Sequence, residues 1–346
     1  MPKNIVFCAD GTWQDPNDNS NVCQLYNALA KVDGVQYTSY DSGVGAAGGL
    51  LDKLLGGAFG VGGDGVFDKI KDRYADVCAH YQPGDQLFLF GFSRGAYTAR
   101  CLAGMIAICG LPTVNQGDPK VVDMAFEAYR NTEQRPALLD TLNQTYTMDD
   151  AKLQLVGVWD TVGSLGVPAI FGGTDANQFG FLSTTLHPDV LNAVQALSID
   201  EERQQFQPCL WDGPVSDQQS LTQVWFAGVH CDVGGGYKPD ADGSILANVT
   251  LRWMAQYANN FGLVFNPGAF ANLTLPSPAG MALATLHNSR TPPFGVLPAF
   301  TRNIVASSAV ASSVNTRLRH PDLAYTPSNL HVVSGQLSAS YNLVNV

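Results

Sequence analysis

The sequence predicts an α/β fold, a mostly parallel sheet with helices on both faces, on three observations. Strand-length apolar runs alternate with helical patterns, which is how a sheet covered on both faces is encoded. The residues with chemical potential, Asp10, Asp41, Ser93, Asp160 and His230, fall at the ends of those runs, where such sheets bind ligands. The chain has 346 residues, 45% hydrophobic and 14% charged, which is ample for a large buried core.

Taken in order, Lys3–Cys8 reads as a buried strand that stops at Asp10-Gly11-Thr12. Gln36–Tyr40 reads as a second strand, ending at Asp41-Ser42-Gly43, and residues 43–65 read as a Gly-rich loop. Val66–Tyr81 carries helical periodicity and closes at the turn Pro83-Gly84-Asp85. Gln86–Phe90 is the third strand, and Ala96–Cys109 is a helix stopped by Gly110-Leu111-Pro112. Lys152–Trp159 and Leu221–Val229 are two further strands, with helical stretches at 120–145 and 189–206. Leu246–Phe261 is a last helix. Residues 262–346 are rich in proline and serine and are expected to pack as an irregular extension on a single domain, 1–346.

Composition narrows the partners. A formal charge of -11 and a pI near 4.8 speak against nucleic acid, since no Lys/Arg run could neutralise phosphates. Transient contact with a membrane surface would need a local basic patch. The N-terminal apolar run is too short for a signal sequence or a membrane span. Seven cysteines without CxxC spacing fit reduced thiols and a cytoplasmic location, with secretion independent of such a signal left open. Oligomeric state is not legible.

The segment Gly91-Phe92-Ser93-Arg94-Gly95 stands between a strand and a helix. A nucleophilic serine there needs a tight, exposed turn, and glycines two residues either side permit it. The competing reading, a Ser93 helix cap, needs no flanking glycines. A serine also needs a base, and the base an orienting carboxylate, in the chain order Ser, Asp, His. Asp160 in Gly157-Val-Trp-Asp-Thr-Val-Gly163 and His230 in Gly228-Val-His-Cys-Asp-Val-Gly-Gly-Gly236 supply that order. The competing readings are that Asp160 caps a turn through Thr161 and that His230 is a core histidine; three such residues at strand ends favour the functional reading, with Asp160 as the acid. Asp232, two residues past His230, is the rival acid or a supporting group; such residues more often bond their own turn.

The Arg94 backbone N–H is the expected first oxyanion donor, and Gly11 or Thr12 the second, with Asp10 pinning their loop. Gly60-Val-Gly62-Gly-Asp-Gly65 matches a dinucleotide fingerprint literally but follows no clear strand. The opening Phe7-Cys-Ala-Asp-Gly-Thr12 lacks the aspartate that an aspartyl-phosphate mechanism needs at Cys8. Neither a cofactor nor a metal is expected: no HxH or HxxxH spacing occurs, and Asp240-Ala-Asp242-Gly243 lacks the rest of a calcium loop.

The stretches FCADGTW, GDQLFLFGFSRGAYTAR, GVWDTVGSLG and GVHCDVGGGY together resemble the DUF2235 family, which includes catalytic domains of type VI secretion phospholipase effectors. LSIDEERQQFQPCLW and RHPDLAYTPSNL are similar in kind. The resemblance implies an α/β-hydrolase fold, a triad at Ser93, Asp160 and His230, and ester hydrolysis, with phospholipids as substrate in secreted members. The expected activity is therefore that of a serine ester hydrolase, lipase- or phospholipase-like, on a small-molecule or lipid ester. Residues 163–190 are the expected lid or acyl wall. The alternatives are a non-catalytic interaction protein on the same scaffold and a metal-dependent phosphodiesterase.

Overall fold

The structure, a computed structural model, describes residues 2–11, 19–42, 64–162, 185–212, 216–274, 278–291 and 298–346. The first strand, β1 (Asn4–Ala9), sends Ile5, Phe7 and Ala9 into one core and Val6 and Cys8 into another. A strand has period two, so a run apolar at every position is buried on both faces. Helix α1 (Asn21–Ala28) starts at Ser20, whose hydroxyl accepts the Cys23 N–H at 3.1 Å. Then follow β2 (Gln36–Asp41), α2 (Asp64–His80), β3 (Gln86–Phe92) and α3 (Arg94–Cys109). β3 divides as β1 does: Leu87 and Leu89 face one core, and Phe88, Phe90 and Phe92 the other. Each such large side chain contributes about 1.5–3 kcal/mol over remaining exposed.

A two-residue ladder pairs β4 (Leu111–Pro112) with β5 (Met148–Asp149), and between them run α4 (Pro119–Arg130) and α5 (Arg135–Thr145). The sheet resumes with β6 (Leu153–Trp159), β7 (Asn192–Ser198) and β8 (Ser220–Phe226). Beyond it lie α6 (His230–Gly234), α7 (Ala247–Asn260), α8 (Ala269–Thr274) and α9 (Pro278–Ala282). The chain continues through β9 (Ala309–Ala311), α10 (Ser312–Arg319), a small β10–β11 hairpin (Val332–Val333, Gln336–Leu337) and β12 (Asn342–Val344).

The main sheet has the order β12-β9-β8-β7-β6-β3-β1-β2, and its pairings are parallel. Helices α2 to α5 pack on one face, and α1, α7, α9 and α10 on the other. The α/β architecture is thus the predicted one. From β1 the chain goes to β2 on one side and then to β3 on the other, so a crevice opens between the carboxyl ends of β1 and β3. Ser93 and Gly11 both lie just past those ends. Among the described residues no helix is long and apolar enough to cross a membrane.

Four expectations are corrected. The stretch 189–206 is not helical: it holds β7, which sits between β6 and β8. Its Ala, Leu and Gln residues favour a helix locally, but pairing to two neighbours overrides that preference. Its buried polar side chains are satisfied: Gln195 bonds Thr161, Gln223 and the Cys209 carbonyl, and the Ser198 hydroxyl donates to the Gly228 carbonyl. The segment 262–346 is not irregular throughout: the short strands β9 and β12 extend the main sheet, and α10 packs on it. The predicted strand 221–229 stops at Phe226, and His230 opens α6 rather than closing a strand. Helix α1 went unpredicted. The glycine-rich stretch 43–63 and residues 163–184 of the expected lid, with Phe171, Phe179 and Phe181, lie outside the described residues.

Candidate active site

Ser93 stands at φ 59°, ψ −122°, and its side chain makes no capping bond to α3. A non-glycine residue held there costs about 1–3 kcal/mol, so the surroundings must enforce the turn. They do so by close approach. A Cβ on Gly91 would lie 2.5 Å from the Gly95 carbonyl oxygen, and one on Gly95 would lie 2.2 Å from that of Ala9. Only glycine fits at either position. The elbow is therefore pressed onto the end of β1, beside Gly11.

Register brings the acid alongside. Phe92 of β3 pairs with Trp159 of β6, so the next residues, Ser93 and Asp160, emerge from adjacent strands, and the Ser93 N–H donates to the Trp159 carbonyl at 3.1 Å. Asp160 also has a positive φ, 40°. Its carboxylate is wholly buried and accepts four hydrogen bonds from three residues. His230 Nδ1 lies 2.6 Å from Oδ2, and the Ser198 N–H 3.0 Å from Oδ1. Arg302 donates from Nη1 to Oδ1 at 2.6 Å and from Nη2 to Oδ2 at 2.9 Å. Thr161 donates instead to Gln195, so Asp160 is no turn cap.

Burial alone would raise the Asp160 carboxyl, but the Arg302 charge and the His230 bond outweigh it and hold it well below the usual carboxylate range. An ionised carboxylate only accepts, so His230 carries its proton on Nδ1 and presents Nε2 as the free acceptor. The ring is fixed by Phe92, 4.6 Å away and next in sequence to Ser93, and by Phe206 edge-on at 4.9 Å. Burial pushes the imidazole below its ordinary value, against the upward pull of Asp160.

Two glycines set the His230 loop. Gly228 has φ 114°, and a Cβ on Gly234 would fall 1.9 Å from the Phe92 ring. Asn21 ties the loop to α1, donating to the carbonyls of Val233 and Ala247. Cys231, a rival nucleophile by type, is pushed up to about 12 by burial and stays protonated at neutral pH.

The remaining sequence-predicted residues have other duties. Asp232 turns away from His230: it accepts from His287 Nδ1 at 2.6 Å and from the N–H groups of Val229 and His287. Asp10 accepts from Ser20, from Tyr40 at 2.7 Å and from the Gly11 N–H at 2.7 Å. It pins the loop, and it occupies the Gly11 donor in doing so. Thr12 lies outside the described residues. Among the described residues no group of three His, Cys, Asp or Glu side chains is placed to hold a metal ion.

Sequence reasoning missed two residues. Glu201 accepts the His230 N–H at 3.2 Å, the Ser289 hydroxyl at 2.9 Å and a two-pronged contact from Arg203 at 2.8 and 2.9 Å. Its signal was present, an acidic pair directly after the apolar run of β7. Arg302 had no local signal. A cavity of about 480 Å³ bounded by Asp200, Asp240, Thr285, Arg317 and Tyr325 lies elsewhere; none of Ser93, Asp160 and His230 lines it.

A family model described as type VI secretion system phospholipase effector Tle1-like, catalytic domain, matches residues 3–257. An uncharacterized protein of Saccharomyces cerevisiae is 25% identical over 422 residues, which cover 83% of this chain and 61% of that protein. The chain thus spans less than two thirds of that relative's length. The crystal structure of an uncharacterized protein from Pseudomonas aeruginosa aligns with a TM-score of 0.45 and 15% identity, over 80% of this chain and 48% of that one.

Proposed function

Since the chain belongs to the family of type VI secretion phospholipase effector Tle1-like catalytic domains, we propose that it hydrolyses carboxylic esters of lipids through Ser93, His230 and Asp160. The observation that carries this reading is the uncapped Ser93 on its strained turn, next in sequence to the Phe92 that packs 4.6 Å from a histidine whose Nδ1 is bound by a buried carboxylate. His230 Nε2 takes the Ser93 proton as Oγ attacks the ester carbonyl. The Arg94 N–H meets the oxyanion. The second donor is expected from the Gly11 or Thr12 N–H in the loop after β1, and the Gly11 N–H bonds Asp10. His230 then protonates the departing alcohol, and water repeats the sequence on the acyl-enzyme.

The test is a fluorophosphonate probe, which reacts only with an activated serine, combined with short and long p-nitrophenyl esters and intact phospholipids. The wild type should label at Ser93 and cleave at least one ester. Ser93→Ala should lose the label and about a million-fold in kcat while melting like the wild type. An active, folded Ser93→Ala protein would end this reading.

A further inference from the structure

We infer that Arg302, on a strap far from the triad in sequence, is a positioning residue of the hydrolytic site: it locks the Asp160 carboxylate and the Phe206 wall around His230. This rests on the triad reading above. Arg302 is fully buried, and both of its terminal nitrogens bond groups of the site. Nη1 bridges Asp160 Oδ1 and the Ser198 carbonyl at 2.9 Å, and Nη2 bridges Asp160 Oδ2 and the Phe206 carbonyl at 2.6 Å. One planar group therefore fixes the plane of the acid and the backbone of the ring edge-on to His230.

The strap is itself held in place. Ala299 pairs antiparallel with Arg203, the Phe300 N–H donates to the Glu202 carbonyl at 2.8 Å, and Asn329 donates to the carbonyls of Ile199 and Arg302. The contacts at Ile199, Glu202 and Arg203 lie along the loop after β7. Residue 302 also lies beyond the stretch 3–257 matched by the family model.

The chemical consequence concerns charge. With Arg302 in place, the acid–cation pair is neutral, and Asp160 can neither take the imidazole proton nor rotate away. The pair also withholds part of the acid's charge from the ring. Besides burial, the groups that set His230 are then Asp160 with its Arg302, and Arg203 and Glu201 after β7; the neighbouring Cys231 thiol stays protonated and adds no charge. Removing the cation exposes the ring to the full Asp160 charge, which favours imidazolium, so the pH at which His230 becomes a usable base rises.

The test compares Arg302→Met, which deletes the charge, with Arg302→Lys, which keeps it but cannot bridge both oxygens. Active fraction is counted with the fluorophosphonate label, and kcat and the acid limb of kcat/KM are referred to labelled sites. Arg302→Met should lower kcat at least about ten-fold and move the acid-limb midpoint up by about one pH unit. Arg302→Lys should keep the wild-type midpoint and still lose kcat. Deleting one partner of a buried pair can prevent folding; if the Met variant yields no folded protein, the Lys variant decides. A merely structural role would reduce the labelled fraction and leave kcat and midpoint per labelled site untouched, and that result in either variant overturns the inference. A wild type labelled at Ser93 with unchanged variants sinks only the role of Arg302, whereas a wild type that never labels at Ser93 sinks the triad and the inference with it.

Discussion

His230 sits between two opposed influences, and their balance fixes a measurable pH. Burial lowers its basicity, Asp160 raises it, and burial wins. On the proposed mechanism only the neutral ring accepts the Ser93 proton, so activity is expected above the His230 midpoint and is lost as pH falls through it. An ordinary histidine titrates near about 6.5; kcat/KM should therefore rise along an acid limb centred below that value and be flat at pH 7. Asp200 is a control, since burial pushes it up to about 6 and it titrates in the same window. It bonds the Gly228 N–H and Tyr325, not His230, so Asp200→Asn should leave the midpoint in place. A wild-type midpoint above 7 would mean that the carboxylate outweighs burial. The candidate positions Ser93, Asp160 and His230 could be picked out in the chain because each follows an apolar run and has glycine within three residues. Arg302 could not, because a lone arginine in a Pro- and Ser-rich stretch looks like surface until the fold places Asp160 against it.

The elbow depends on β1, β3 and α3 meeting closely, and glycine is what lets them meet. Gly95→Ala would put a methyl group 2.2 Å from the Ala9 carbonyl oxygen, so strand or turn must move. We expect a loss of about 1–3 kcal/mol or more in urea unfolding, and a collapse of ester hydrolysis, because Ser93 and the loop of Gly11 shift together. Gly117→Ala is the matched control: nothing lies within 4 Å of its new methyl group, and stability should hold or rise slightly. Equal stability of Gly95→Ala and Gly117→Ala would show that the close approach carries no constraint. Strands β1, β3 and β6 were legible because their runs are apolar throughout and end at Gly or Asp. β7 was not, because its residue types favour a helix and only its two neighbours make it a strand. β9 and β12 are three residues each, too short for any periodicity to register.

The sheet gathers strands from both ends of the chain, so stability is shared between segments that composition alone would rank unequally. Val310 and Val314 from β9 and α10 are fully buried in the same core as Phe88 and Trp159. A fragment ending at residue 260, just past the family match, would lose β9, β12, α10 and Arg302, uncover β8 and leave the buried Asp160 without its cation. It should fail to melt cooperatively and show no ester hydrolysis; a folded, active fragment would prove the C-terminal segment dispensable. The same arrangement governs the order in which the site comes into being during synthesis. Ser93, Asp160 and His230 leave the ribosome first, and Arg302 follows Asp160 by 142 residues. At roughly 5–20 residues per second the acid waits roughly 7–28 s for its cation. A chain stalled or cut short between residues 230 and 302 holds the proposed nucleophile, base and acid and still lacks the group that aligns them, so on this reading hydrolytic competence arrives only after the strap has been made.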